Sequence, residues 1–254
     1  MRITKYEVRD PRITRDYKIV MLSDLHNKHY KSIVRKVKKE DPEVILIVGD
    51  LVDRHRRTYR RVKPFLKAIS KAGICFFSFG NHEVKFPKIT GTDINECGVR
   101  VLDDEYIRYA DLAIGGQTSM AGMEDPHPER PTHQQWLKTA SLDWLPALEQ
   151  DDGFRILLCH HPEYYEQYNL KDRDLDLILA GHAHGGQMRL FGHAVYAPGQ
   201  GLWPKYTHGV YGNMIVGAGL INTIKPIAPR LGNPTEIVEL YLRPGKEPQI
   251  KELS

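Results

Sequence analysis

Five short apolar runs in this chain each stop, within two residues, at an Asp, Asn or His. That repeated junction constrains the fold more than any other feature. Residues 18–22 run into Ser23-Asp24-Leu25-His26, Val44–Val48 into Gly49-Asp50-Leu51-Val52-Asp53-Arg54, and residues 74–79 into Gly80-Asn81-His82-Glu83. Residues 155–159 end in His160-His161-Pro162, and residues 175–180 in Gly181-His182-Ala183-His184. Short runs rich in Val and Ile have the length and composition of buried strands. Between them, residues 32–39, 59–71 and 134–148 carry helical periodicity. Residues 112–114 and 214–216 predict further strands, and the polar alternation of residues 236–242 predicts an edge strand. Strands alternating with helices predict an α/β layer architecture, read as one domain over residues 1–254.

In open α/β sheets, ligands bind beyond the carboxyl ends of the strands, so the five polar clusters converge on one crevice. The converging groups are the carboxylates of Asp24 and Asp50, the imidazoles of His26, His160, His182 and His184, and the amide oxygen of Asn81. Seven N/O donors without a thiolate exceed what one tetrahedral ion takes. They suit two borderline ions such as Mn, Fe or Zn sharing a bridging carboxylate. Paired metals recur in phosphoryl displacement, where they activate a water and neutralise phosphate oxygens.

In order and spacing these blocks resemble the calcineurin-like metallophosphoesterases: Asp24-x-His26, Gly49-Asp50-x-x-Asp53-Arg54, Gly80-Asn81-His82-Glu83, His160 and Gly181-His182-x-His184. The segment His184-Gly185-Gly186-Gln187-Met188-Arg189-Leu190 is similar to a bacterial phosphodiesterase branch of that superfamily. The resemblance implies a four-layer α/β fold in which two mixed β-sheets pack face to face, flanked by helices. It implies one metal on Asp24, His26, Asp50 and His184 and a second on Asp50, Asn81, His160 and His182, with Asp50 bridging. It further implies that His82 is not a ligand but a general acid oriented by Asp53, that Arg54 contacts a substrate phosphate oxygen, and that a metal-bridging hydroxide attacks phosphorus. The expected activity is hydrolysis of a small phosphorylated substrate, a phosphodiester in preference to a phosphomonoester. The alternatives are a non-catalytic metal-binding scaffold of the same fold and a nuclease.

Composition bears on those alternatives. The 36 Lys+Arg and 32 Asp+Glu leave a net charge of +4, too small to argue for a long nucleic-acid groove. Basic residues between Lys28 and Lys39 and between Arg54 and Arg61 read as solvated helix faces. A membrane-surface substrate would need an exposed apolar or basic amphipathic element, and residues 30–39, the clearest candidate, read as a basic helix packing its Val/Ile stripe on the sheet. No run reaches the 20 or so apolar residues of a membrane span, and charges occupy the place of a signal peptide's apolar region, so a cytoplasmic chain is expected. Cys75, Cys97 and Cys159 are odd in number and unpaired in spacing, so no disulfide framework is expected. His161 is expected to point away from its ligating neighbour. Residues 122–131, with Glu124 and Asp125, and residues 192–212 read as long loops, the second with Trp203, Tyr206, Tyr211 and His208 pinning it to the body.

Overall fold

In a computed structural model, the chain is described over residues 1–53, 61–85, 89–120, 141–190, 193–221, 223–225 and 228–253, the side chains of 223–225 and 228–229 aside. The apolar runs form strands as the sequence predicts, and further strands appear around them. In chain order these are β1 Arg2–Asp10, β2 Tyr17–Leu22, β3 Val44–Val48, β4 Ile74–Ser78, β5 Val99–Val101, β6 Glu105–Tyr109, β7 Leu112–Gln117, β8 Phe154–Cys159 and β9 Leu177–Ala180. There follow β10 Met188–Leu190, β11 His193–Ala197, β12 Gly201–Leu202, β13 Gly209–Tyr211, β14 Met214–Val216, β15 Thr223–Lys225, β16 Ala228–Pro229, β17 Glu236–Pro244 and β18 Gln249–Leu253. The helices are α1 Lys31–Glu40, α2 Val62–Ile69, α3 Asn81–Lys85, α4 Gly91–Asn95, α5 Leu145–Glu149 and α6 Tyr164–Gln167.

Two mixed sheets carry the architecture. One has seven strands in the order β18-β1-β17-β2-β3-β4-β5, and the other six in the order β13-β14-β9-β8-β7-β6. At the heart of each lie four parallel strands, β2 to β5 in the first and β14, β9, β8 and β7 in the second. Three apolar clusters show how the layers stack. Ile33, Val37, Phe65 and Leu66 from α1 and α2 pack on Val20, Ile45, Ile47 and Phe77 of the first sheet. Alternate residues of the same strands, Ile19, Met21, Leu46 and Phe76, meet Ile114, Ile156, Leu158 and Leu179 of the second. The opposite face of that second sheet, with Leu157 and Ile178, packs on Leu145 and Leu148 of α5 and on Tyr164 of α6. Period-two alternation thus divides each strand between two interfaces, giving helix, sheet, sheet, helix. That is the four-layer arrangement the resemblance implies.

Several expectations need correction. Residues 236–242 do not form an edge strand, because β17 lies between β1 and β2. The alternating polar residues are buried and paired: Glu239 with Lys18 at 2.8 Å and Lys5 at 3.1 Å, and Glu236 with Arg2 at 2.6 Å. Alternation was therefore a sign of cross-strand ion pairs rather than of solvent. The helix expected over residues 134–148 begins only at Leu145 among the described residues, and residues 143–144 form a turn before it. Half of the described residues in the loop expected over 192–212 are strand, in β11, β12 and β13. The loop expected over residues 122–131 lies outside the described residues, as does Arg54. The three cysteines are free and buried.

Candidate metal centre

The polar clusters leave β2, β3, β4, β8 and β9 at their carboxyl ends, and backbone hydrogen bonds continue the ladder past the last strand residues. Asp24 N–H donates to Gly49 O at 3.2 Å, His26 N–H to Asp50 O at 3.0 Å, and Gly181 N–H to His160 O at 3.0 Å. The turns are sharp. Asp24, His26, Asn27, Asp50, His182, His184 and Gln187 all have positive φ, between 44° and 60°. These are seven of the twelve non-glycine residues in that conformation among the described residues. Backbone held in this sparsely allowed region concentrates at functional sites, where surrounding contacts over-determine it. Gly49, at φ +71°, admits no side chain: a Cβ there would sit 2.6 Å from His160 Nδ1.

The turns bring the predicted side chains together. Asp50 Oδ2 lies 3.2 Å from His160 Nε2, 3.5 Å from His26 Nε2 and 3.9 Å from His82 Nε2. Asp24 Oδ1 lies 3.4 Å from His184 Nε2, 3.8 Å from His160 Nε2 and 3.9 Å from His26 Nε2. Asp24, His26 and His184 each offer a ligand atom within 4.8 Å of the others, and so do Asp50, His160 and His182. The two groups share one buried pocket of side chains, with Asp24, Asp50 and His160 nearly inaccessible. Asn81 opens α3 beside them with its Oδ1 buried.

Among the described residues several of these atoms have no hydrogen-bond partner: Asp24 Oδ2, His26 Nε2, Asn81 Oδ1, His182 Nδ1 and His184 Nδ1. A buried polar atom left unpaired costs roughly 1–3 kcal/mol, so five of them in neighbouring residues call for a partner. Carboxylate, imidazole and amide donors together fit a divalent cation of the borderline class. The tautomers agree. His160 Nδ1 bonds Val48 O at 2.8 Å, which directs Nε2 toward Asp50 and leaves it the ligating nitrogen.

Burial and charge set the protonation of the cluster. Burial lowers His26 to about 4 and drives His182 and His184 well below the usual histidine value, so all three are neutral, the form that ligates. Burial opposes charge on His160 too, but Asp50 and Asp24 outweigh it and raise this imidazole to about 10. Burial raises Asp24 to about 6 despite the proximity of His160. For Asp50 the same burial is overcome by His160 and His82, which hold its carboxyl well below the ordinary range.

His82 follows Asn81 in α3, next to this cluster. Its backbone N–H donates to Asp50 Oδ1 at 2.9 Å and its ring meets that of His26 edge-on at 4.5 Å. Asp53 lies close enough for its charge to raise the His26 pKa. His161 does not simply point away. Its ring centroid is 4.1 Å from that of His182, with Nε2 2.8 Å from Ser119 Oγ and Nδ1 2.9 Å from Glu163 Oε1. Its ring also stacks on that of Tyr164, the first residue of α6, at 4.7 Å.

Tyr206 pins its segment to Tyr165 of α6, ring against ring at 5.9 Å, and meets Tyr211 within the segment at 5.0 Å, while His208 Nδ1 takes Arg189 Nη1 at 2.7 Å. Trp203 does not pin anything: it is 73% exposed.

Two residues near the centre carried no prediction. Glu83 is buried and its carboxylate accepts from three backbone N–H groups, Asp50 at 2.8 Å, Val52 at 3.0 Å and Gly80 at 3.0 Å. The signal available was an acid three residues past Gly80 at a helix start. Arg230 donates to Ala218 O at 2.5 Å and Ile221 O at 2.6 Å, and its charge acts on Asp24. It lies far along the chain from every motif, and nothing in its surroundings in sequence marks it.

Residues 17–186 match the calcineurin-like phosphoesterase family. An uncharacterized metallophosphoesterase of Campylobacter jejuni, Cj0846, is 27% identical over 217 residues, 82% of this chain and 54% of its own length. The uncharacterized protein YpbG of Bacillus subtilis is 30% identical over 176 residues, 67% of this chain and 62% of its own. The chain therefore spans only part of these two relatives, somewhat over half of each. The crystal structure of the calcineurin-like phosphoesterase YfkN from Bacillus subtilis superposes with a TM-score of 0.47 at 14% identity, over 94% of this chain and 90% of that one. With its strand-end motifs gathered at one buried centre and two thirds of its length matched, the chain belongs to the calcineurin-like phosphoesterase family.

Proposed function

We propose that this protein hydrolyses phosphodiesters with two divalent metal ions, Mn²⁺ foremost, held at the carboxyl ends of the two central parallel sheets. The observation that carries this reading is the pair of buried donor groups, Asp24-His26-His184 and Asp50-His160-His182, in each of which the ligand atoms lie within 4.8 Å of one another. On this reading Asp24, His26, Asp50 and His184 hold one ion, and Asp50, Asn81, His160 and His182 the other. Such ions supply charge neutralisation at phosphorus and a water of lowered pKa.

The chain's own residues do the rest. Asp50, anchored through Oδ1 by the His82 N–H, keeps Oδ2 aimed between the two groups. Glu83 fixes the loop that carries Asp50 by tying its N–H to that of Gly80. His82, partly open to solvent beside the cluster, is assigned the proton that the leaving oxygen needs. Asp53 is assigned the orientation of that imidazole and Arg54 a phosphate oxygen.

The test is hydrolysis of bis-p-nitrophenyl phosphate beside p-nitrophenyl phosphate, with chelated protein and with protein reloaded with Mn²⁺, metal being counted in parallel. Two ions per chain with metal-dependent diester cleavage is the expected result. A monoester preference would replace the diesterase assignment. Two bound ions with neither ester cleaved would favour the non-catalytic scaffold.

A further inference from the structure

The two histidines of Gly181-His182-Ala183-His184 are anchored by different parts of the molecule. Gly181 N–H donates to His160 O at 3.0 Å, so His182 follows the ladder of the second sheet. His184 instead opens a left-handed run, with φ at +49° on His184, +67° on Gly185, +76° on Gly186 and +44° on Gln187. Chains of L-residues visit that region singly rather than in succession, so four such residues in a row need support from outside the turn.

The support comes from 49 residues further along the chain. Asn233 is buried, and its Nδ2 donates to His184 O at 2.7 Å and to Gln187 O at 3.2 Å, the two ends of the run. The fit is close, since a Cβ on Gly185 would lie 2.9 Å from the same nitrogen. Arg230 fixes this residue in turn: its Nε donates to Asn233 O at 2.9 Å and its Nη2 to Asn233 Oδ1 at 3.3 Å. With Oδ1 accepting from the guanidinium, the amide presents its N–H groups to the turn.

Arg230 braces a second ligand as well. It donates to Ala218 O at 2.5 Å and Ile221 O at 2.6 Å, on either side of Gly219 and Leu220. Gly219, at φ +74°, lies against Asp24, where a Cβ would sit 2.8 Å from Oδ2, and Leu220 N–H donates to Ser23 O at 3.0 Å. Arg230 and Asn233 therefore back both Asp24 and His184, which belong to one donor group, Asp24-His26-His184. The other group, Asp50-His160-His182, is set by the Glu83 carboxylate under Asp50 and by the rung between Gly181 and His160.

We propose that Asn233, fixed by Arg230, is a positioning residue for one ion of the pair, the ion assigned to Asp24, His26, Asp50 and His184, and that it acts by holding the His184 backbone. The proposal rests on the two-ion reading above, and its test separates the two. The full chain, chelated, is titrated with Mn²⁺ by calorimetry, and the bound metal is followed by electron paramagnetic resonance, in wild type, Asn233→Ala, His184→Ala and the double variant. Wild type should take up two ions and give the spectrum of a coupled pair. Asn233→Ala should weaken one ion about 10–100-fold and leave the other as it was. At metal concentrations that fill wild type, the variant then shows an isolated ion. His184→Ala removes the same ion directly, and adding Asn233→Ala to it should not change the affinity of the ion that remains, because the two substitutions act on one site. Where Asn233→Ala does not fold, Asn233→Ser, which keeps a donor for the turn, is expected to show the same pattern with a smaller loss. Asn233 variants that bind two ions as tightly as wild type, or that weaken both alike as a general loosening of the fold would, overturn this proposal and leave the two-ion reading standing. Fewer than two ions on wild type overturns that reading and the proposal with it.

Discussion

Replacement of Glu83 tests how much the centre depends on a residue outside the candidate ligand set. Its carboxylate is the acceptor for the N–H groups of Asp50, Val52 and Gly80, all buried. Glu83→Ala leaves three buried donors without a partner, each worth roughly 1–3 kcal/mol. A simple total of about 3–9 kcal/mol is too large, because the space vacated by the side chain can admit a water that satisfies part of the set. About 3–5 kcal/mol is expected, a large fraction of the roughly 5–15 kcal/mol that holds a typical domain folded. Glu83→Gln keeps the shape and one acceptor oxygen but points an amide N–H at a backbone donor, and should cost less, about 1–2 kcal/mol. Urea unfolding of chelated protein at pH 7 measures the folding term alone, and metal counting after reloading measures its effect on the loop of Asp50. Glu83→Ala unfolding within about 1 kcal/mol of wild type would falsify the claim that this carboxylate holds the Asp50 loop.

Two other predictions concern the centre directly. His82→Ala should bind metal as wild type does and slow cleavage of diesters with alkoxide leaving groups by about 10²–10⁴-fold, while p-nitrophenyl esters, whose leaving group needs little protonation, lose much less. An equal loss on both substrates would remove the acid role. Metal uptake should expel protons. In the metal-free chain His160 is raised to about 10 and Asp24 to about 6, so at pH 7 a cation taking His160 Nε2 displaces a proton, and below pH 6 it also displaces one from Asp24. Affinity should rise with pH across that range, steepest below 6. Titration calorimetry in buffers of different ionisation heat should find about one proton released at pH 7, and zero would contradict the assignment. The metal-free fold should respond in the opposite sense. A raised folded-state pKa on His160 stabilises below the unfolded value of 6.5, and that contribution disappears as pH climbs toward 10. Chelated protein should therefore lose unfolding midpoint between pH 6.5 and 10.

Much of the centre was legible because its residues sit where local sequence signals are strongest. Val44–Val48 is an apolar run cut short by Gly49 and Asp50, and both the strand and the turn follow from those residues alone. The same holds for the junctions at His160 and His182. What stayed hidden depends on pairing between distant segments. β1 is an alternating run of charged and apolar residues at the amino end whose pairing with β17, Arg2 to Glu236 and onward, only the fold provides. The polar alternation of β17 looks like solvent exposure until Lys5, Lys18 and Arg2 are placed over its glutamates. Arg230 reaches the neighbourhood of Asp24 from a segment without a motif.

The strained turns explain why the centre is built from strand ends in particular. Asp24, His26, Asp50, His182 and His184 hold positive φ at some energetic cost, and no one of their side chains could enforce it alone. What enforces it is the continuation of the ladder: Asp24, His26 and Asn27 donate in turn to Gly49, Asp50 and Leu51, so the β2 and β3 turns brace each other at bond lengths of 2.9–3.2 Å. Gly217 N–H on Ala180 O and Gly181 N–H on His160 O do the same across the second sheet. The four-layer core below fixes the strands, the strands fix the rungs, and the rungs hold buried carboxylates and imidazoles within reach of one another. The fold thus sets the donor atoms in place before any cation arrives, and metal affinity should track the integrity of those rungs as closely as the identity of the ligands.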